Sequence, residues 1–274
     1  MTIWQSFLDE GYNDSTTFCI GSLFAPDYAC AEMGESILAR IATENTRLEL
    51  GGYPPISRYH ATDCSAFQKE FSKKKGWDHG RQIGLTKRIC EILIEEGANG
   101  LVVGGGYADI RPYLENQENE KAFLYNLCFR LLLFMKTTFL NNNFPEDRVM
   151  VFYDVSPQFV PIARAAHADF MADDATEHLR KYLIDCEPVT WRQKPEMQLA
   201  DFVTFQGFRR IGTSLDGSER VMKSLDALIG RMPITIERFQ GQNFADMIRM
   251  HDNQQAGRAI EDGVNSKLLP VVGF

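Results

Sequence analysis

Three aspartates stand where an ionised carboxylate is costly. Asp9 closes the partly apolar run at 3–8, Asp154 closes Val149-Met150-Val151-Phe152-Tyr153, and Asp201 interrupts the apolar segment Met197-Gln198-Leu199-Ala200-Asp201-Phe202-Val203-Thr204-Phe205. An unpaired carboxylate in such surroundings costs on the order of several kcal/mol, so each needs hydrogen bonds, a cation or a metal ion. For any one of the three alone, a hydrogen-bonded structural role accounts for the residue equally well; as a set they point to metal chemistry. Oxygen ligands on rigid elements suit magnesium or manganese better than sites built from Cys or His. Two such ions about 3.5–4 Å apart activate a water and stabilise the leaving oxygen in phosphodiester hydrolysis. Glu10 adds a fourth carboxylate beside Asp9. Neighbours on an extended strand face opposite ways, so Glu10 joins the site only where the backbone turns, as Gly11 permits. Gln198 and Asp201, three apart on a helix, share one face.

The elements that must position these residues follow from hydrophobic patterning. A hairpin opens the chain, with strands at 3–8 and 16–24 joined through Glu10-Gly11-Tyr12-Asn13-Asp14-Ser15, which has turn composition. Helical spacing of Ile37, Leu38 and Ile41 predicts a helix over 27–47, followed by a Gly-Gly-Tyr-Pro-Pro loop at 51–55. A short strand carrying His60 is expected at 56–62, a helix at 81–96, and a strand at 100–104 with Gly104-Gly105-Gly106 as a bend. The segment 118–140 is apolar on more than one face and reads as a helix buried against a sheet. The clearest strand, 148–153, ends at Asp154; a helix over 157–183, a strand at 189–192 and a helix over 196–210 follow. The expected fold class is α/β, a mixed sheet flanked by helices, with a core domain at 1–212. Residues 213–274, with a helix at 218–229 and a strand at 234–239, form a C-terminal extension packed on that core.

The pairing of Phe7-Leu8-Asp9-Glu10-Gly11-Tyr12-Asn13-Asp14 with the later Gln198-Leu199-Ala200-Asp201-Phe202 resembles the bacterial domain-of-unknown-function 3800 family. Arg58-Tyr59-His60-Ala61-Thr62 is similar to its middle motif, and Val151-Phe152-Tyr153-Asp154 to its acidic strand end. The resemblance covers about residues 1–212, and the Gln-Leu-Ala-Asp helix is its most specific part. Two departures stand out: the family writes Asp-Glu-Ser-Gly where this chain has Asp9-Glu10-Gly11-Tyr12, and the last sixty or so residues have no counterpart in it. The resemblance implies a ribonuclease H-like fold. It also implies a metal-dependent nuclease, with Asp9, Glu10, Asp154 and Asp201 on Mg2+ or Mn2+ and nucleic acid as partner. The alternative is a non-catalytic module that binds nucleic acid or a protein on the same fold.

Further residues are weighed against that set. His60 is either a proton shuttle beside the acids or a satisfied structural histidine. Asp109 is the substitute acid should Asp154 not serve, and Arg192 and Lys194 precede the Asp201 helix where they meet either a phosphate or solvent. The run Lys73-Lys74-Lys75 is either a local patch for phosphate contacts or, the better reading, a solvated loop or helix end. Neither a P-loop nor a GxSxG element is present, and Ser22 and Ser156 have no hydrolase spacing to a His and an Asp. A carboxylate-pair glycosidase is a weaker alternative, because no sugar-stacking aromatic pattern stands out. The six cysteines show neither disulfide nor zinc spacing, and a net charge of −8 argues against nucleic-acid binding by bulk positive potential without excluding a nuclease. The opening residues lack a leader pattern and no stretch reads as a membrane span, which leads us to expect a cytoplasmic chain.

Overall fold

The computed structural model describes residues 1–13, 16–113, 119–215, 231 and 234–239. Its centre is a six-stranded mixed sheet in the order β5-β4-β1-β2-β3-β6. β1 (Ile3–Asn13), β2 (Thr17–Pro26) and β3 (Asn99–Gly106) form an antiparallel meander. β4 (Arg148–Asp154) runs parallel to β1, β5 (Leu183–Val189) parallel to β4, and β6 (Ile234–Phe239) parallel to β3. The architecture is α/β, a mixed sheet flanked by helices. From the C-terminal extension, β6 adds the sixth strand; the expected helix at 218–229 lies outside the described residues.

Helices cover both faces. On one lie α1 (Asp27–Leu50), α3 (His79–Glu95) and α8 (Met197–Leu215), whose Met33, Ile37, Leu85, Ile89, Leu199 and Phe202 pack with Phe7, Leu23 and Phe152 of the sheet. On the other lie α5 (Glu120–Asn143) and α6 (Val160–Ala172), packed on Leu8, Ile20, Val151 and Tyr153. The short helices α2 (Ala61–Ala66), α4 (Tyr107–Ile110) and α7 (Glu177–Arg180) lie between these elements. The alternation of Phe7 and Leu8, and of Phe152 and Tyr153, between the two cores is the period of two that a doubly covered strand requires. By length and composition alone α5 is apolar enough to cross a membrane, which the sequence reading did not expect; here it packs on the sheet as a core helix.

Close approach places α8. A Cβ on Gly21 of β2 would lie 2.5 Å from the Cα of Thr204, and one on Gly207 would lie 2.5 Å from the methyls of Val102. Both glycines let the helix settle on the strands at a distance a larger residue forbids. Thr204 Oγ1 then donates to the Asp9 carbonyl at 3.3 Å, tying helix to strand two turns below the helix start.

Several boundaries differ from those read in the sequence. β1 runs on to Asn13, so Asp9 and Glu10 lie inside a strand and not at its turn. The expected strand at 56–62 is absent: α2 begins at Ala61 with His60 as its N-cap. The helix expected over 157–183 ends at Ala172, where the Asp173 carboxylate accepts the Ala175 N–H at 3.0 Å and starts a new turn. The following strand lies at 183–189, earlier than the 189–192 expected. Gly104 to Gly106 are strand residues and not a bend.

Candidate active site

Register explains why the acids meet. Phe7 and Phe152 are partners across the parallel β1–β4 ladder, and their rings stack with centroids 5.4 Å apart. Two residues further on, Asp9 and Asp154 point to the same face of neighbouring strands, the face that carries α8. The ladder between these strands ends at Leu8 and Tyr153, so β1 has no β4 partner beside it at Asp9 and Glu10. Glu10 belongs by alternation to the opposite face, yet it lines the same cleft and feels the Asp154 charge. Asp9, Glu10, Asp154 and Asp201 all line one cleft of about 200 Å³, together with Arg58, Tyr59, His60, Thr62, Trp191, Met197 and Gln198.

α8 also builds the cleft wall. Its Gln198 Oε1 accepts the Tyr59 N–H at 2.7 Å, and its Asp201 Oδ2 accepts the Ala61 N–H at 2.7 Å. Two side chains on one helix face thus clasp the segment that presents Arg58 and His60. These bonds are the physical reason 56–62 is not a strand: its amides are satisfied by side chains instead of a ladder. His60 Nδ1 accepts the Asp63 N–H at 3.3 Å and lies 3.1 Å from Asp63 Oδ2, which also meets Lys69 Nζ at 3.1 Å. The ring is held through Nδ1.

The electrostatics are those of crowded acids. Asp9 is pushed well above the usual carboxylate range by burial, then by the charges of Asp201, Glu10 and Asp154. Burial and the Asp154 charge hold Glu10 up at about 7. Burial also raises Asp154 and Asp201. Arg58, His60 and a backbone N–H pull each of them back. The donor set is all oxygen and mutually repelling, which is what a divalent cation relieves. Even so, among the described residues no three His, Cys, Asp or Glu side chains stand gathered in ion-holding geometry.

No family model matches the chain, and no curated protein matches it. Among solved structures it is similar to a chain of the PCNA:RNase HII complex from Archaeoglobus fulgidus, at 13% identity and a TM-score of 0.35. That match covers 87% of this chain and 94% of the other. The likeness is too slight to carry an argument.

The remaining sequence candidates lie elsewhere. Asp109 pairs with Arg238 at 2.9 Å and does not line the cleft, so it does not replace Asp154. Lys194 donates to Gln5 Oε1 at 3.3 Å, lies over the Phe152 ring and does not line the cleft. Ser22 is buried against Lys136 and Ser6. All six cysteines are free. Sequence reasoning missed Trp191 as a lining residue and gave Arg58 no role; the one signal for Arg58 was its place two residues before His60.

Proposed function

We propose that this chain is a magnesium- or manganese-dependent phosphodiesterase acting on nucleic acid, with Asp9, Glu10, Asp154 and Asp201 as the residues that hold the cation. One observation carries the reading: four carboxylates from two strands and a helix line a single cleft whose basic lining, among the described residues, is Arg58 and His60. Those two groups cannot neutralise four acids. A bound divalent ion supplies the missing positive charge and lowers the pKa of an attacking water. Arg58 has the fork geometry to hold the non-bridging oxygens of a phosphodiester. His60, steadied through Nδ1, exchanges a proton at Nε2 with the attacking water or the leaving oxygen. Gln198 and Asp201 keep both residues in place through the amides of Tyr59 and Ala61. We further propose membership of the domain-of-unknown-function 3800 family, on the sequence motifs alone.

A second reading has its own support. The hydrogen bond from Ala61 N–H to Asp201, which gives this acid a structural partner, favours a non-catalytic nucleic-acid- or protein-binding module with structural acids. Incubation of the purified protein with single- and double-stranded DNA and RNA in manganese, magnesium or chelator separates the two. The phosphodiesterase reading expects cleavage that needs the metal and is lost in Asp9→Asn; binding without cleavage, equal in wild type and variant, favours the module.

A further inference from the structure

Trp191 follows β5 and lines the acid cleft, partly exposed. The chain has three tryptophans, and the other two, Trp4 and Trp77, are only 7% and 1% exposed. Guanidinium groups lie over the Trp191 indole: Arg192 at 4.4 Å from the ring centroid and Arg58 at 5.8 Å. Arg58 also lies close enough to Asp154 and Asp201 to favour their ionised forms. It therefore neighbours both the acids and the indole. Acid chemistry at the floor of the cleft makes no use of an aromatic at its rim.

We propose that Trp191 and Arg58 form a nucleotide subsite in which an unpaired base stacks on the indole while its phosphate is held by Arg58, so that the cleft takes a single strand in preference to an intact duplex. The proposal rests on the phosphodiesterase reading of the same cleft and names its substrate class. Three observations support it. Guanidinium groups within cation–π distance of the indole mark a ring that already attracts flat cations, and a base would take the same kind of place by displacing one of them. A net charge of −8 withholds the general phosphate attraction that most nucleic-acid binders use, so affinity must come from local contacts such as stacking. In a duplex both faces of each base are already covered by neighbours, so only an unpaired or extruded base has a face to offer.

The exposure of Trp191 alone makes intrinsic fluorescence the readout. Oligo-dT, oligo-U, a blunt DNA duplex and inorganic polyphosphate are titrated into the full chain, in calcium and in chelator. Calcium takes oxygen ligands as magnesium does. Single strands are expected to quench the emission, and duplex and polyphosphate to leave it unchanged; the tighter of oligo-dT and oligo-U identifies DNA or RNA as the source. With a labelled strand followed by anisotropy, Trp191→Ala should raise Kd about tenfold to a hundredfold, whereas Trp191→Phe, which keeps a stacking ring, should stay near wild type. Equal affinity in wild type and Trp191→Ala, or quenching by polyphosphate as strong as by oligonucleotide, overturns the subsite. Metal-dependent cleavage is scored separately. Cleavage without quenching removes the subsite and leaves the phosphodiesterase, and quenching without cleavage does the reverse.

Discussion

Glu10→Gln should make the protein more stable at neutral pH without metal, because it removes one of four crowded charges. Burial and the neighbouring Asp154 charge raise Glu10 from its ordinary 4.5 to about 7. Below about pH 4.5 the residue is protonated in both folded and unfolded chains and contributes no difference. Between about 4.5 and 7 the unfolded chain has released the proton while the folded chain retains it, so wild-type stability falls as pH rises through this window. Above about pH 7 the deficit is complete, with a ceiling of about 3 kcal/mol at 1.36 kcal/mol per pH unit. Solvent screening in a partly open cleft reduces this to on the order of 1–2 kcal/mol, or about 2–8 °C in Tm for a domain of this size. Thermal melts of wild type and Glu10→Gln at pH 4, 6 and 8 in chelator test it. The variant should match wild type at pH 4 and melt higher at pH 8, and saturating magnesium should shrink that gap by stabilising wild type more. A variant that melts lower at pH 8 in chelator, or a gap that ignores pH, refutes the picture of repelling acids.

Three more expectations follow from the packing. Lys136 is buried in α5, with Nζ donating to Ser22, and burial lowers its pKa from 10.5 to about 7. The unfolded chain binds more protons between these values, so Lys136→Met should raise stability most at or below pH 7, by up to about 5 kcal/mol, with the gain in Tm fading by pH 10 in a pH series of melts. Gln198→Ala removes the acceptor of the Tyr59 N–H and should cost about 1–3 kcal/mol; hydrogen exchange at the Tyr59 amide should quicken, and unchanged exchange contradicts the clasp. Gly21→Val forces a side chain against the Thr204 backbone, so chemical denaturation should show a loss of at least about 1–3 kcal/mol; a neutral result denies the close seat of α8.

The acids were legible because their neighbours are periodic. Phe7 with Asp9, and Phe152 with Asp154, follow the alternation of strands covered on both sides, and Gln198 with Asp201 the spacing of a helix face. The segment around His60 was misread because Ile56 and Tyr59 give a short run between a Pro-Pro loop and the next helix the content of a brief strand, while its amides bond to partners 139 and 140 residues away. No local pattern announces such a contact. β5 was displaced in the reading because Asp185, Glu187 and Pro188 dilute its apolar signal, as suits a strand on the edge of a sheet. Trp191 was missed for a simpler reason: one aromatic in a loop has no period, and only the fold puts it beside the acids.

Manganese binding by the wild-type chain and by Asp9→Asn, Asp154→Asn and His60→Ala, followed by titration calorimetry at pH 7.5, addresses the central claim most directly. The account predicts saturable binding to wild type and a loss of at least about tenfold in affinity in each Asp variant, since a ligand matters no less than the groups that merely orient one. His60→Ala, which removes no carboxylate, should bind as wild type does. Absence of saturable binding, or equal affinity in wild type and both Asp variants, would contradict a cation site built from these carboxylates.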